Sequence, residues 1–240
     1  MSVPANSSND IAADEKAVVL LSGGLDSATV LAHAHFRGYQ CYSLSVDYGQ
    51  HARHELEAAI RIAKVLCVHE HMQIPIGLHQ FGGSALVTGD SVPTAGEAAV
   101  HYGIPETYVP ARNTVLLSLA LGWAEVLGAY TIYIGANSLD YSGYPDCRPE
   151  YIKAYNELAR LAVAEGSAGG RPVRVEAPLM HMSKAEIIQL GTSLGFDYGL
   201  TVSCYQPGED GMACGRCESC VLRLKGFAQA DLKDPILYSE

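Results

Sequence analysis

Basic residues are scarce in this 240-residue chain: 16 Lys and Arg stand against 26 Asp and Glu, a formal charge of −10. A protein that grips nucleic acid or anionic lipid over a broad face needs the opposite balance, so neither is expected as a partner beyond a local basic pocket. Long apolar runs are also missing. The longest, residues 115–127, is interrupted by Ser118 and Glu125 and falls short of the roughly 20 residues of a membrane span. No basic, then apolar, stretch opens the chain. Residues 1–15 are polar and read as a disordered leader rather than a secretory signal. The seven cysteines are an odd set, four of them clustered near the C-terminus, which suits a reducing cytoplasm and a metal site better than a disulfide framework. Disulfides are not needed either: a chain of this length buries roughly 70–75% of its unfolded surface.

What is present is alternation. Short apolar runs at 17–21, 41–46, 68–74, 130–135 and 173–178 predict strands, and helical spacing predicts helices at 26–37, 53–66, 113–127, 149–164 and 183–194. The order strand–helix–strand predicts an α/β fold, a doubly wound parallel sheet of about five strands. Helix 113–127 is apolar enough to be packed on both sides. Residues 75–110 read as a long irregular stretch, and 166–170 as a flexible connector. Residues 16–200 form the α/β domain and 201–240 a C-terminal zinc-binding helical module packed on it. In such sheets ligands bind beyond the carboxyl ends of the strands, so the loops after Leu21, Val46, Ile74 and Gly135 are expected to share one crevice.

Ser22-Gly23-Gly24-Leu25-Asp26-Ser27 lies between the first strand and the first helix. Two glycines permit positive φ and close backbone approach, and successive N–H groups at a helix start make an anion site. Asp26 and Ser27 are placed to cap that helix. There is no Lys-Ser/Thr pair, which excludes the common P-loop, and no third glycine of the dinucleotide fingerprint. A tight turn with a helix cap would account for the motif alone equally well.

Cys204, Cys214, Cys217 and Cys220 are spaced C-x9-C-x2-C-x2-C. Four thiolates suit tetrahedral Zn²⁺, one ion per chain, with no position open for water, hence a structural site. An iron–sulfur cluster or a redox thiol pair are the alternatives. Asp47 closes the second strand on the crevice side. Arg112 opens the apolar helix with Asn113 as its cap. Ser183 and Glu186 form a capping box, which leaves Lys184 either solvated or facing a phosphate. Asp140, Tyr141, Ser142, Tyr144, Asp146 and Arg148 lie on a Gly/Pro-bent loop able to hold a flat heterocycle.

The run Leu20-Leu-Ser-Gly-Gly-Leu-Asp-Ser-Ala-Thr29 resembles the pyrophosphatase loop of N-type ATP pyrophosphatases. Together with Asp47-Tyr-Gly-Gln50, Val109-Pro-Ala-Arg-Asn113, Asp140-Tyr-Ser-Gly-Tyr-Pro-Asp-Cys-Arg148, Ala177-Pro-Leu-Met180, Lys184-Ala-Glu186 and the four cysteines, it resembles the 7-cyano-7-deazaguanine synthase (QueC) family from about residue 17 to 227. Three departures stand out. The family often has Gly at Ala111, a Gly-Val-Cys-Glu-Thr-Asp-Phe version of Gly135–Tyr141, and Thr-Cys-Tyr-Asn-Gly where this chain reads Ser203-Cys-Tyr-Gln-Pro-Gly208.

The resemblance implies conversion of 7-carboxy-7-deazaguanine, ATP and ammonia to the 7-nitrile, with Mg²⁺ on the phosphates and a homodimer as the assembly. It implies an ATP site at Leu21, Ser22, Gly23, Gly24, Leu25, Asp26, Ser27, Ala28, Thr29 and Asp47. Charge would be handled by Asp26, Ser27, Arg112 and Lys184, and the deazaguanine would be held by the 140–148 loop. Two rivals remain at this point. A tRNA-modifying ligase of the same fold wants a basic surface, which the charge disfavours. An ATP-binding regulator leaves Lys184 and the tyrosine/aspartate loop unexplained.

Overall fold

The computed structural model describes residues 14–49, 53–88, 94–95, 100–101, 104–139, 143–208 and 211–239. The expected leader therefore lies almost wholly outside the described residues.

In chain order the described strands are β1 (Lys16–Leu20), β2 (Gln40–Asp47), β3 (Glu70–Pro75), β4 (Val100–His101), β5 (Ile104–Pro105), β6 (Thr131–Tyr133) and β7 (Arg174–Glu176). The helices are α1 (Leu25–Phe36), α2 (Arg53–Val65), α3 (Arg112–Leu127), α4 (Pro149–Ala162), α5 (Ala164–Ser167), α6 (Lys184–Ser193) and α7 (Glu218–Gln229). Five strands make one sheet in the order β3-β2-β1-β6-β7, and every neighbouring pair is parallel. The doubly wound sheet read from the alternation is the observed one.

Side chains of β1 alternate between two cores, as the period of a strand requires. Ala17 and Val19 pack with Val30 and Leu31 of α1, Ile62 of α2 and Ile187 of α6. Val18 and Leu20 pack with Leu117 and Leu121 of α3. A parallel sheet is stable only when both faces are covered in this way. The strand order reverses at β1, with β2 on one side and β6 on the other. A crevice opens there, past the carboxyl ends of the two strands.

Four local expectations are corrected. The 75–110 stretch contains a 3₁₀ turn, Leu78–Phe81, and the antiparallel pair β4–β5. The 166–170 connector begins inside α5, where Gly166 sits against the carbonyl of Arg160 so closely that a Cβ would come within 2.7 Å of it. Helix α3 is not covered on both sides: Ser118, Gly122, Glu125 and Val126 are exposed. Finally, neither Asp26 nor Ser27 caps α1. Gly24 is the N-cap, without a side-chain cap, and Ser27 Oγ donates to the Gly24 carbonyl at 3.1 Å. The capping box of α6 is present as read, with Ser183 accepting from the Glu186 amide and Glu186 accepting in return.

The N-terminus of α3 shows what one departure from the family pattern costs. Ala111 is the N-cap and has φ 53° and ψ 21°, in the left-handed region. That conformation costs an L-residue roughly 1–2 kcal/mol and glycine almost nothing, less the extra chain entropy glycine loses on folding. Ala111→Gly is therefore expected to raise stability by about 0.5–1 kcal/mol, read as a higher urea midpoint with unchanged slope. An equal or lower midpoint would remove strain as the reason.

Candidate active site

The glycine-rich turn is built by steric necessity. Gly23 has φ 91°, and a Cβ there would lie 2.0 Å from the carbonyl oxygen of Glu55. The turn is thus pressed onto the first turn of α2, and only glycine fits. From the other side, Gly135 lets the chain leaving β6 pass 3.0 Å from the Ser27 amide, measured to a would-be Cβ. Inside the turn, serine hydroxyls hold the first amides of the helix start. Ser22 N–H donates to Ser27 Oγ at 3.1 Å, Gly24 N–H to Ser22 Oγ at 3.3 Å, and Leu25 N–H to Ser203 Oγ at 3.4 Å. A phosphate oxygen is a stronger acceptor of the same kind, and it lies at the positive end of a helix dipole.

A cavity of ≈ 210 Å³ opens from this turn, against the roughly 10–15 Å³ that one water needs. Leu20 to Ser27, apart from Gly23, form one wall, Leu44, Val46 and Tyr48 of the β2 end another, and Ile134, Gly135 and Ala136 a third. The loop after β3 does not join them. With Asp47 it lines a separate shallow groove, so the expectation of four loops in one crevice holds for three.

Lys184 reaches this cavity from the first residue of α6. Its Nζ donates to both carboxylate oxygens of Asp26, at 2.7 and 2.9 Å, and the two side chains are only 8% and 15% exposed. Lys184 is therefore bound to Asp26 rather than solvated.

Arg112 and Glu55 face the cavity from α3 and α2. The Arg112 guanidinium lies 5.8 Å from the Tyr48 ring centre. Burial pulls its pKa down, but Tyr48, Cys147, Tyr144 and Asp146 together outweigh that and hold it firmly charged. Burial pushes the Glu55 carboxyl up to about 8, opposed by the nearby Arg112 and reinforced by Cys217. Burial, then Asp146, raises the Cys147 thiol to about 11, so it meets the cavity as a neutral thiol.

The fourth wall comes from beyond residue 200. Ser203, Tyr205, Ser219, Leu222 and Arg223 line the cavity. Arg223 is 2% exposed and ties this wall together. It donates to both oxygens of Asp234 at 2.8 and 3.0 Å, to Thr201 Oγ1 at 2.6 Å, to the Tyr198 carbonyl at 3.1 Å and to Ser203 Oγ at 3.3 Å. Val202 N–H donates to the Gly23 carbonyl at 3.0 Å, which fastens the wall to the glycine turn.

Next to this wall the sulfurs of Cys204, Cys214, Cys217 and Cys220 all lie within 4.8 Å of one another. Four sulfurs around a tetrahedral Zn²⁺, at about 2.3 Å each, would be about 3.8 Å apart. Backbone amides of Cys214 and Cys217 already donate to Cys204 Sγ and Cys214 Sγ at 3.2 and 3.3 Å. Hydrogen bonds from Cys204 and Cys220 pull the Cys217 thiol down, and the same bonds push theirs up. One sulfur ionises at its neighbours' expense, and a cation would let all four do so. The donor set fits a metal ion.

The sequence-predicted residues separate into three groups. Leu21, Ser22, Gly24, Leu25, Asp26, Ser27, Arg112, Tyr144 and Lys184 line the cavity. Gly23, Ala28, Thr29, Asp47, Asp146 and Arg148 do not. Gly23 is turned towards α2, and Ala28 and Thr29 are buried in the core, where Thr29 Oγ1 meets the Tyr198 hydroxyl at 2.8 Å. Asp47 Oδ1 accepts from Gly49 N–H at 3.1 Å. Arg148 is exposed. Asp146 does what Asn113 was expected to do: its Oδ2 accepts from the Asn113 amide at 3.0 Å, satisfying the start of α3. Its place on the wall is taken by Cys147, whose Sγ accepts from Asn113 Nδ2 at 3.4 Å. Asp140, Tyr141 and Ser142 lie outside the described residues. Sequence reasoning missed Glu55, Ser203 and Arg223. The only signals were a glutamate one turn after a crevice loop and an arginine three residues after the last cysteine.

A parallel sheet with a glycine-rich turn at its switch point, with no lysine in the turn and Lys184 brought to the cavity by α6, is the arrangement of the pyrophosphatase-loop class. The family model described as queuosine biosynthesis protein QueC matches residues 16–231, and the chain belongs to that family. A relative named 7-cyano-7-deazaguanine synthase from Solidesulfovibrio magneticus is 57% identical over 227 residues, 94% of this chain and 97% of its own. One of the same name from Stutzerimonas stutzeri is 58% identical over 226 residues, 94% and 99%. Among solved structures, the NMN synthetase from Francisella tularensis shares 14% identity at a TM-score of 0.49, covering 92% of this chain and 79% of that one.

Proposed function

We propose that the chain is a ligase that converts 7-carboxy-7-deazaguanine, with ATP and ammonia, into 7-cyano-7-deazaguanine (preQ0) for queuosine or another 7-deazapurine pathway. The observation that carries this reading is the shared cavity: the glycine cradle, the Asp26–Lys184 pair and the Arg112–Tyr144 wall all open into one space, in a chain more than half identical to relatives bearing that name.

A carboxylate resists attack by ammonia because its oxygen is a poor leaving group. Attack of that carboxylate on the α-phosphate of ATP releases pyrophosphate and makes AMP the leaving group. Ammonia then gives the amide. A second adenylation, on the amide oxygen, allows that oxygen to depart with AMP and leaves the nitrile. In this reading the amides and hydroxyls of Ser22, Gly24, Leu25 and Ser27 hold the phosphates, with Lys184 and Arg112 facing the charge that develops as pyrophosphate leaves. Tyr144, on the cavity wall, would contact the deazaguanine, and Asp140, Tyr141 and Ser142 are proposed to help bind it. Mg²⁺ would enter with ATP and offset the negative charge of its phosphates. The four cysteines would hold one structural Zn²⁺, closed to substrate. We place the chain in the cytoplasm as a homodimer, with a leader at 1–15, a catalytic domain at 16–200 and the cysteine module at 201–240.

The test is mass spectrometry of the product from purified, metal-loaded protein given ATP, Mg²⁺, ammonium and 7-carboxy-7-deazaguanine. The expected result is the nitrile with two AMP released per product. Recovery of the unreacted acid would sink the reading.

A further inference from the structure

Attack by ammonia creates a proton that has to go somewhere, and the cavity holds few groups able to take it. Among the described cavity-lining residues the carboxylates are Asp26 and Glu55. Asp26 is closed by Lys184 through both oxygens. Just behind the wall, Asp146 is occupied by the Asn113 amide. Of the other polar groups, the Tyr144 hydroxyl meets Thr107 Oγ1 at 2.7 Å, and Arg223 is held by Asp234. The Glu55 carboxylate takes part in no hydrogen bond and in no ion pair within 4 Å among the described residues. The groups that act on it through space are Arg112 from α3 and Cys217 from the cysteine module, and it acts in turn on Tyr48 after β2.

Its position is as informative as its freedom. The Glu55 backbone abuts Gly23 of the phosphate cradle. The Arg112 charge that acts on Glu55 interacts also with Tyr144 and Cys147, which line the same cavity. The Glu55 backbone thus abuts the glycine turn, while the residue lines the same cavity as Arg112, Tyr144 and Cys147.

We propose that Glu55 is a further catalytic residue, the base that takes the proton from the attacking nitrogen; this rests on the reading of the site given above. The nitrogen lone pair forms the C–N bond at the activated carbonyl carbon. The C–O bond to AMP breaks, and its electron pair leaves with AMP. The Glu55 carboxylate accepts one N–H proton, so the amide leaves neutral and Glu55 becomes a carboxylic acid that returns its proton to solvent. Nothing in this step is asked of Glu55 before ammonia arrives, so adenylation and amide formation separate.

The test uses full-length, metal-loaded Glu55→Gln protein and two measurements: substrate-dependent exchange of pyrophosphate into ATP without ammonia, and amide and nitrile formation with ammonium. The expected result is exchange within about threefold of wild type and a loss of roughly 10²–10⁴-fold in amide and nitrile formation with ammonium. Glu55→Asp, which keeps the base and shortens its reach, is expected to recover part of the ammonium reaction. Loss of exchange in Glu55→Gln would make the residue part of the ATP site and overturn the proposal, and so would wild-type turnover with ammonium. A wild-type enzyme that makes no amide or nitrile would instead fail the functional reading itself.

Discussion

Replacing Lys184 by methionine is expected to lower the unfolding free energy by about 3–5 kcal/mol and to abolish pyrophosphate release. The stability loss follows from what remains. Methionine fills much the same volume, so packing is largely kept, but Asp26 is left as an uncompensated carboxylate, 15% exposed, beside the start of α1. Removing one partner of a buried pair costs that much chiefly because the other charge stays behind. The packing around the lysine stem shows how firmly it is set: a Cβ on Gly226 of α7 would lie 2.4 Å from Lys184 Cγ, so α6 and α7 clamp the chain that carries the ammonium. The double variant Asp26→Asn with Lys184→Met separates the two effects. It carries no stranded charge and is expected to regain most of the lost stability in urea unfolding while staying inactive in a pyrophosphate assay. Turnover by either variant would take the pair out of the chemistry, and equal stability of Lys184→Met and wild type would show that Asp26 is solvated.

That pair also shows where sequence reading reaches its limit. The glycine turn was legible because its chemistry is local: strand, two glycines and helix follow one another, and the sterics at Gly23 are those of a tight turn. The sheet was legible for the same reason, since short continuous apolar runs, as a sheet covered on both faces requires, alternate with helical spacing. Lys184 was legible only as a lysine its capping box did not explain; its partner stands 158 positions away. Asp146 was misread because nothing local distinguishes a carboxylate facing a substrate from one satisfying the first amides of a distant helix. Thr29 and Ala28 were assigned to ATP by continuity with the motif, yet one helical turn is enough to rotate them into the core. Glu55 was invisible because a glutamate in the first turn of an exposed-looking helix is the ordinary dipole-favoured choice. Only the packing of α2 onto the glycine turn makes it unusual.

Chelating the ion that the proposed reading gives the four-cysteine site is expected to cost the protein its ATP binding as well as local order. The cysteines share a segment with the fourth wall of the cavity. Cys204 lies between Ser203 and Tyr205, and Cys217 is the N-cap of α7, the helix that carries Ser219 and Arg223. Arg223 in turn fixes Thr201 and Ser203, and Val202 holds the Gly23 carbonyl. Apparent binding energies of four-ligand zinc sites run about 10–16 kcal/mol in small peptides, as large as the whole stability of an ordinary domain. Without the ion, four crowded thiols must share their protons, and the segment from 201 to 223 loses the link that closes it. Ser203 then leaves the Leu25 amide, and the cradle loses its fixed outer edge. The expected result in calorimetric titration is ATP affinity weakened at least about 100-fold after chelation, restored on adding zinc, with Cys217→Ser behaving like the chelated protein. The core around α1, α3 and the sheet should keep most of its circular dichroism. Metal-free protein that binds ATP as tightly as before would show that the cradle stands without its fourth wall.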